Sequence, residues 1–142
     1  MVYLGLDLGE VTLGIARSDS GIIAYGVGTY RFEKDNYEQA ANYIAKYIID
    51  NSIDVIVLGY PKHMSSEIGP RAEISELFKN KIELKTNKKV VLWDERLTTK
   101  QATFTLKEAG LSQKKRSAKK DMLAAVIILQ NYLDYKGEKE NG

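Results

Sequence analysis

Cysteine is missing from all 142 residues. That excludes disulfides, thiolate zinc sites and cysteine nucleophiles. Histidine is nearly missing too: His63 is the single one. A zinc cage built from several histidines is therefore impossible, and one neutral imidazole carries little information by itself. Long apolar runs are absent; none approaches the roughly 20 residues needed to cross a bilayer. The N-terminus has no leader pattern of basic residues followed by an apolar stretch, so the expectation is a cytoplasmic protein without a membrane partner. No internal repeat and no interdomain linker interrupts the chain.

What is present is ordinary in amount and uneven in placement. Hydrophobic residues make up 44% and charged residues 28%, which suits a globular protein with a substantial core. One α/β domain over residues 1–135 is expected, followed by a charged tail, 136–142, that should fray. The net charge of +2 is small, but Lys100, Lys107, Lys114, Lys115, Arg116, Lys119 and Lys120 are opposed only by Glu108 and Asp121 over the same stretch.

Patterning predicts three sequential strands, Val2–Leu8, Thr12–Arg17 and Ile22–Phe32, joined by turns at Gly9-Glu10 and Ser20-Gly21. Tyr37, Ala40, Ala41, Ile44, Tyr47 and Ile48 recur with helical spacing between Asn36 and Asp50. Ile53–Leu58 is nearly continuous in apolar residues, which predicts a strand buried on both faces. A polar loop, Lys62–Pro70, leads to a helix over Arg71–Leu84. Lys89–Trp93 is another short strand, ending at Asp94-Glu95. Helices are expected over Thr98–Ala109, closed by Gly110, and over Lys119–Tyr135. This order indicates a mixed sheet covered by helices on both faces.

Asp7 stands out because it lies inside an apolar strand, where an ionised carboxylate is costly unless a cation or donors compensate it. Strand alternation puts Tyr3, Gly5, Asp7 and Gly9 on one face, and the two glycines beside the acid leave room for a ligand or another backbone. Glu95 follows the end of the last strand. Asp121 shares i, i+4, i+7 spacing with Ala125 and Ile128, on the helix stripe that should face the sheet. Three convergent carboxylates would suit Mg2+ or Mn2+, hard ions that prefer oxygen ligands. Paired ions of this kind activate water and stabilise the leaving oxygen in phosphodiester hydrolysis. Taken singly, an acid here can be structural, as a helix cap at Asp94 or paired with Lys119 or Lys120 at Asp121; Asp7 is the exception, because solvation does not explain an acid inside a strand. Asp19 fits its turn best, and Trp93 fits the core better than a stacking platform.

The segment Lys114-Lys115-Arg116-Ser117-Ala118-Lys119-Lys120 places five basic residues in seven, directly before Asp121. Phosphate-backbone binding with salt-sensitive affinity is the functional reading, and a solvated loop is the plain one.

Four stretches together resemble the YqgF (RuvX) family of bacterial RNase H-like nucleases. They are Gly5-Leu6-Asp7-Leu8-Gly9 with Gly14–Asp19, Val57-Leu58-Gly59-Tyr60-Pro61 with Met64 and Gly69, Trp93-Asp94-Glu95-Arg96-Leu97-Thr98-Thr99, and Lys114-Lys115-Arg116 followed by Asp121 and Ala124–Leu133. The resemblance spans nearly the whole chain and implies an RNase H-like fold with strand order 3-2-1-4-5. It implies that Asp7, Glu95 and Asp121 are the catalytic, metal-holding acids, and that Arg96 and Thr98 brace the site or touch the scissile phosphate. The implied activity is trimming the 5′ end of precursor 16S ribosomal RNA, with ribosomal particles as partners. Two alternatives stay open: a Holliday junction resolvase acting on branched DNA, and a non-catalytic nucleic-acid-binding factor. A resolvase would need a homodimer; a monomer suffices otherwise.

Overall fold

The computed structural model describes residues 1–60, 70–94 and 113–141, the side chains of 113–118 and 138–141 excepted. Five strands form one sheet: β1 (Tyr3–Leu8), β2 (Thr12–Ser18), β3 (Tyr25–Arg31), β4 (Val55–Tyr60) and β5 (Lys89–Asp94). Three helices are described: α1 (Tyr37–Asp50), α2 (Pro70–Thr86) and α3 (Gln113–Asn141). The strand order is β3-β2-β1-β4-β5. β1 runs antiparallel to β2 and parallel to β4, and β5 is parallel to β4. This is the α/β architecture expected from the sequence.

Alternation along β1 builds two cores. Leu4, Leu6 and Leu8 pack with Leu13, Ile15, Ile44, Ile48, Phe78 and Ile82 under α1 and α2. On the opposite face Tyr3 packs with Ala16, Val57, Ala125, Ile128, Leu129 and Leu133 under α3. β4 serves both cores, so Ile56, Val57 and Leu58 are all fully buried, as the unbroken apolar run predicted. The β1–β2 turn closes when the Gly9 N–H donates to the Thr12 carbonyl at 2.7 Å. At the start of α1, the Asn36 side chain accepts from the Gln39 N–H at 3.1 Å and caps the helix.

Three boundaries differ from expectation. β3 begins at Tyr25 rather than Ile22, because the Gln130 side chain takes the Ala24 N–H and donates to the Ile22 carbonyl. α3 begins at Gln113 rather than Lys119, so the basic run is helical and not a loop. The helix also continues to Asn141, where a frayed tail was expected from residue 136, and Lys136 donates to the Tyr3 hydroxyl at 2.6 Å. The helix expected over Thr98–Ala109 and the loop Lys62–Pro70, up to residue 69, lie outside the described residues.

α1 and α2 are tied by Glu38, which receives Lys81 at 2.6 Å and also Lys85. The two ammonium groups hold its carboxyl down to about 2, against an ordinary 4.5. A depressed carboxyl stabilises the fold above its unfolded pKa and loses that contribution as pH falls through the folded one. The stability advantage of wild type over Glu38→Gln should therefore be constant near neutrality and shrink between about pH 4.5 and about 2. Glu38 is half exposed and the two lysines partly so, so the advantage should be small and sensitive to salt. Urea denaturation at stepped pH measures it, and a pH-independent difference would show that the ion pairs contribute nothing.

Candidate active site

The face of the sheet beneath α3 is stripped of side chains where the helix comes closest. Gly5, Ala16 and Gly26 form one cross-strand row, and Gly14 lies in the next row. A methyl group on Gly5 would lie 2.6 Å from Leu129 Cβ and 2.9 Å from the Ala125 carbonyl oxygen. On Gly14 it would lie 1.9 Å from the carbonyl oxygen of Asp121. Both distances are below what any real Cβ tolerates, so α3 can occupy this position only over bare backbone.

That seating brings the first turns of α3 down to Asp7. Asp7 is the direct cross-strand partner of Gly14, and such partners share a face with Cα atoms about 4.5–5.5 Å apart. Asp7 and Asp121 are therefore on the same side of the sheet, separated by a single strand step. Each is half-buried. The Thr12 hydroxyl, two residues before Gly14 and on its face, donates to Asp121 Oδ2 at 2.6 Å. The end of β1 is held from the other side as well. Arg71 Nη2 donates to the Leu8 carbonyl at 2.7 Å, and Nη1 donates to the Tyr37 hydroxyl at 3.3 Å. Burial raises the Tyr37 pKa despite this arginine.

β5 leaves the sheet at the same end. Leu6 is level with Leu58, and the next residue of β4, Gly59, is level with Trp93. Trp93 thus falls in the row of Asp7, packed edge-on against Tyr132 with centroids 5.4 Å apart. Trp93 is half-buried and packs against the second core. Glu95, Arg96 and Thr98 lie beyond Asp94, outside the described residues. Lys114, Lys115 and Arg116 belong to the first turns of α3, but their side chains are outside the description. Lys119 is exposed and Lys120 half-buried. Asp19 serves its turn, accepting from Arg17 at 2.7 Å and from the Tyr25 hydroxyl at 2.9 Å. The Arg17 bond, with the Tyr25 bond behind it, lowers the Asp19 pKa. Tyr60 donates to Glu76 at 3.3 Å, and His63 is outside the described residues.

Sequence reasoning treated Thr12 only as the loss of a basic residue usual in the resembled family, weakening one phosphate contact, and gave neither Thr12 nor Arg71 a part in holding this site. A signal existed for both. Thr12, Gly14 and Ala16 alternate on one face, a polar hydroxyl leading two small residues that admit a helix. Arg71 sits in the first turn of α2, where a cation opposes the helix dipole and needs an outside partner.

Two carboxylates without nitrogen or sulfur donors fit a hard divalent cation such as Mg2+ or Mn2+. Among the described residues, no group of three or more acids or histidines is set to hold a metal ion. The third expected carboxylate, Glu95, is not among those residues. No described helix is long and apolar enough to cross a membrane.

The family model described as "RuvX: Holliday junction resolvase" matches residues 1–135. A protein of Aster yellows witches'-broom phytoplasma (strain AYWB), named "Putative pre-16S rRNA nuclease", is 51% identical over 133 residues, covering 93% of this chain and 88% of its own. A Bacillus subtilis (strain 168) protein of the same name is 46% identical over 135 residues, with 94% and 98% covered. Among solved structures, Thermus thermophilus RuvC superposes with a TM-score of 0.59 at 13% identity, covering 97% of each chain. RuvC from T. thermophilus in complex with a Holliday junction substrate gives 0.62 at 14%, with 97% and 96% covered. At such identities the likeness establishes the RNase H-like fold and nothing finer.

Gly14→Ala should destabilise the protein by about 1–3 kcal/mol or more, the usual range for overpacking, because the obstructing atom is backbone and cannot swing aside. Chemical denaturation measures the loss. An unchanged midpoint would mean that α3 does not rest on β2 at this point.

Proposed function

The chain belongs to the RuvX family, and we propose that it is a metal-dependent nuclease that trims the 5′ end of precursor 16S ribosomal RNA. The observation that carries this reading is the seating of Asp121 on Gly14, one strand step from Asp7. Two half-buried carboxylates on one side of the sheet are oxygen donors of the kind a hard divalent cation takes. Asp7, Glu95 and Asp121 would hold Mg2+ or Mn2+. When bound, such ions supply an activated water and charge stabilisation at the phosphate.

The protein's own groups divide the remaining work. Asp7 is fixed by its strand and Asp121 by its helix seat, so neither acid has to be ordered when substrate arrives. Lys114, Lys115, Arg116, Lys119 and Lys120, in the turns before Asp121, bind the sugar-phosphate backbone and offset its repulsion from the acids. Arg96 and Thr98 brace the site or touch the scissile phosphate. The cytoplasm and its ribosomal particles supply the substrate, and a monomer is sufficient.

Junction resolution is the second reading, favoured by the family's description and by the junction-bound structural relative. The deciding experiment compares cleavage of a precursor 16S RNA 5′ segment with cleavage of a synthetic four-way DNA junction, each with Mg2+ or Mn2+. RNA cleavage alone is expected. Junction cleavage by a dimer, with the RNA untouched, would replace this reading by the second.

Asp7→Asn should cut turnover by more than the 10–100-fold typical for losing an outer partner of a metal ligand. Folding and substrate binding should persist, since losing one of two neighbouring anions relieves repulsion. An Asp7→Asn protein that is inactive in cleavage yet supports growth in place of wild type would favour the non-catalytic factor.

Replacing Lys114, Lys115 and Arg116 together with alanine should weaken binding to all sequences alike, because phosphate contacts carry no direct base information. The slope of log affinity against log salt should flatten by about 0.7 for each phosphate no longer neutralised on single strands, or about 0.9 on duplex DNA. Turnover at saturating substrate should change little. An unaltered slope would assign these cations to solvent.

A further inference from the structure

We infer that Thr12 is a positioning residue for Asp121: its hydroxyl fixes one carboxylate oxygen, so that the other is presented to a divalent cation. The inference rests on the reading of Asp121 as a metal-holding acid and adds a residue to it.

The contact joins parts of the chain 109 residues apart, Thr12 Oγ1 donating to Asp121 Oδ2 at 2.6 Å. Such a short O–H···O− bond is among the stronger hydrogen bonds in proteins. Both partners are immobilised by other means. Thr12 opens β2, pairs with Arg31 in β3, and accepts the Gly9 N–H at 2.7 Å through its carbonyl. Its β-branched side chain has few accessible rotamers. Gly9 contributes by omission: a methyl group there would lie 3.1 Å from Thr12 Oγ1, tight against the hydroxyl. At the other end, the Asp121 backbone carbonyl is lodged against Gly14. With its main chain and Oδ2 both held, the Asp121 carboxylate has only Oδ1 left to direct.

The chemical type of the donor matters. A lysine or arginine at this position would orient the acid and also neutralise it, competing with the metal for the same charge. A threonine hydroxyl is a neutral donor, so it orients the carboxylate and leaves its full charge available. Outer partners of metal-ligating groups act in this way, and their removal typically costs about 10–100-fold in metal affinity or activity.

The test is Mn2+ binding to the full chain without nucleic acid, followed by the electron paramagnetic resonance signal of free Mn2+. Wild type, Thr12→Val, Thr12→Ser and Asp121→Asn are compared, each with its melting temperature. Thr12→Val keeps the shape and removes the donor; Thr12→Ala removes the same donor if the added methyl disturbs the turn. The Mn2+ dissociation constant should rise about 10–100-fold in the donor-less variant. Thr12→Ser should stay close to wild type, and the Mn2+ concentration for half-maximal cleavage should shift in parallel. A donor-less variant with a lowered melting temperature but wild-type Mn2+ affinity would overturn the inference, leaving Thr12 as a peg that docks α3. In that case loss of Mn2+ binding in Asp121→Asn would leave the metal-site reading intact. Wild-type Mn2+ binding in Asp121→Asn would overturn that reading, and the role of Thr12 with it.

Discussion

The contact between the Asp121 carbonyl and the bare backbone of Gly14 sets the arrangement of everything around it. A helix packed on a sheet is normally held off by side chains from both sides. Here β1, β2 and β3 present Gly5, Gly14 and Gly26 to α3, and at Gly5 and Gly14 the separation falls to main chain against main chain, while Gly26 receives the Met122 side chain. The apolar remainder of the interface, Ala125, Ile128, Leu129 and Leu133, is fully or almost fully buried as a result. Hydrophobic burial supplies the attraction, and the missing side chains determine where it stops. A polar residue on α3 is thereby delivered to a depth that its own solvation would never favour.

The two acids at this end of the sheet are held by different means. Asp7 is a strand residue, and the strand's end is fastened by Arg71 through the Leu8 carbonyl. Asp121 is a helix residue fastened through Thr12. The flanking elements thus take up the polar groups that the close packing would otherwise leave unsatisfied. No described buried side-chain nitrogen or oxygen lacks a partner. Arg71 also joins the two sides of the molecule. It emerges from α2, on the face opposite α3, and grips the last residue of the strand that carries Asp7.

Much of this was legible in the residues. Asp7 inside an aliphatic strand, with Gly5 on its own face, marked an acid beside a place where another backbone comes close, and it is half-buried under α3. The spacing of Asp121, Ala125 and Ile128 correctly turned that acid toward the sheet. The double burial of Ile56–Leu58 followed from an uninterrupted apolar run. The errors fall where periodicity has nothing to report. Residues 113–118 contain no apolar stripe, yet lysine, arginine and glutamine are good helix formers, so α3 starts a turn and a half before the pattern does. Ile22 and Ile23 look like strand residues, but the Gln130 amide takes the place of a neighbouring strand there. The holding roles of Thr12 and Arg71 went unassigned because their partners, Asp121 and Leu8, are distant in sequence and are chosen by tertiary packing alone.

The position of α3 along the chain gives the molecule an order of assembly. All five strands and both helices of the opposite face precede it, and β1 through β5 already pair among themselves without it. During synthesis the sheet can form while the row of Gly14 and Asp7 stays uncovered and the companion acid does not yet exist. Pairing of the two acids therefore waits on the docking of one helix. A chain stopped short of α3 lacks Ala125, Ile128, Leu129 and Leu133, and Tyr3, Ala16 and Val57 lose the apolar side chains they pack against.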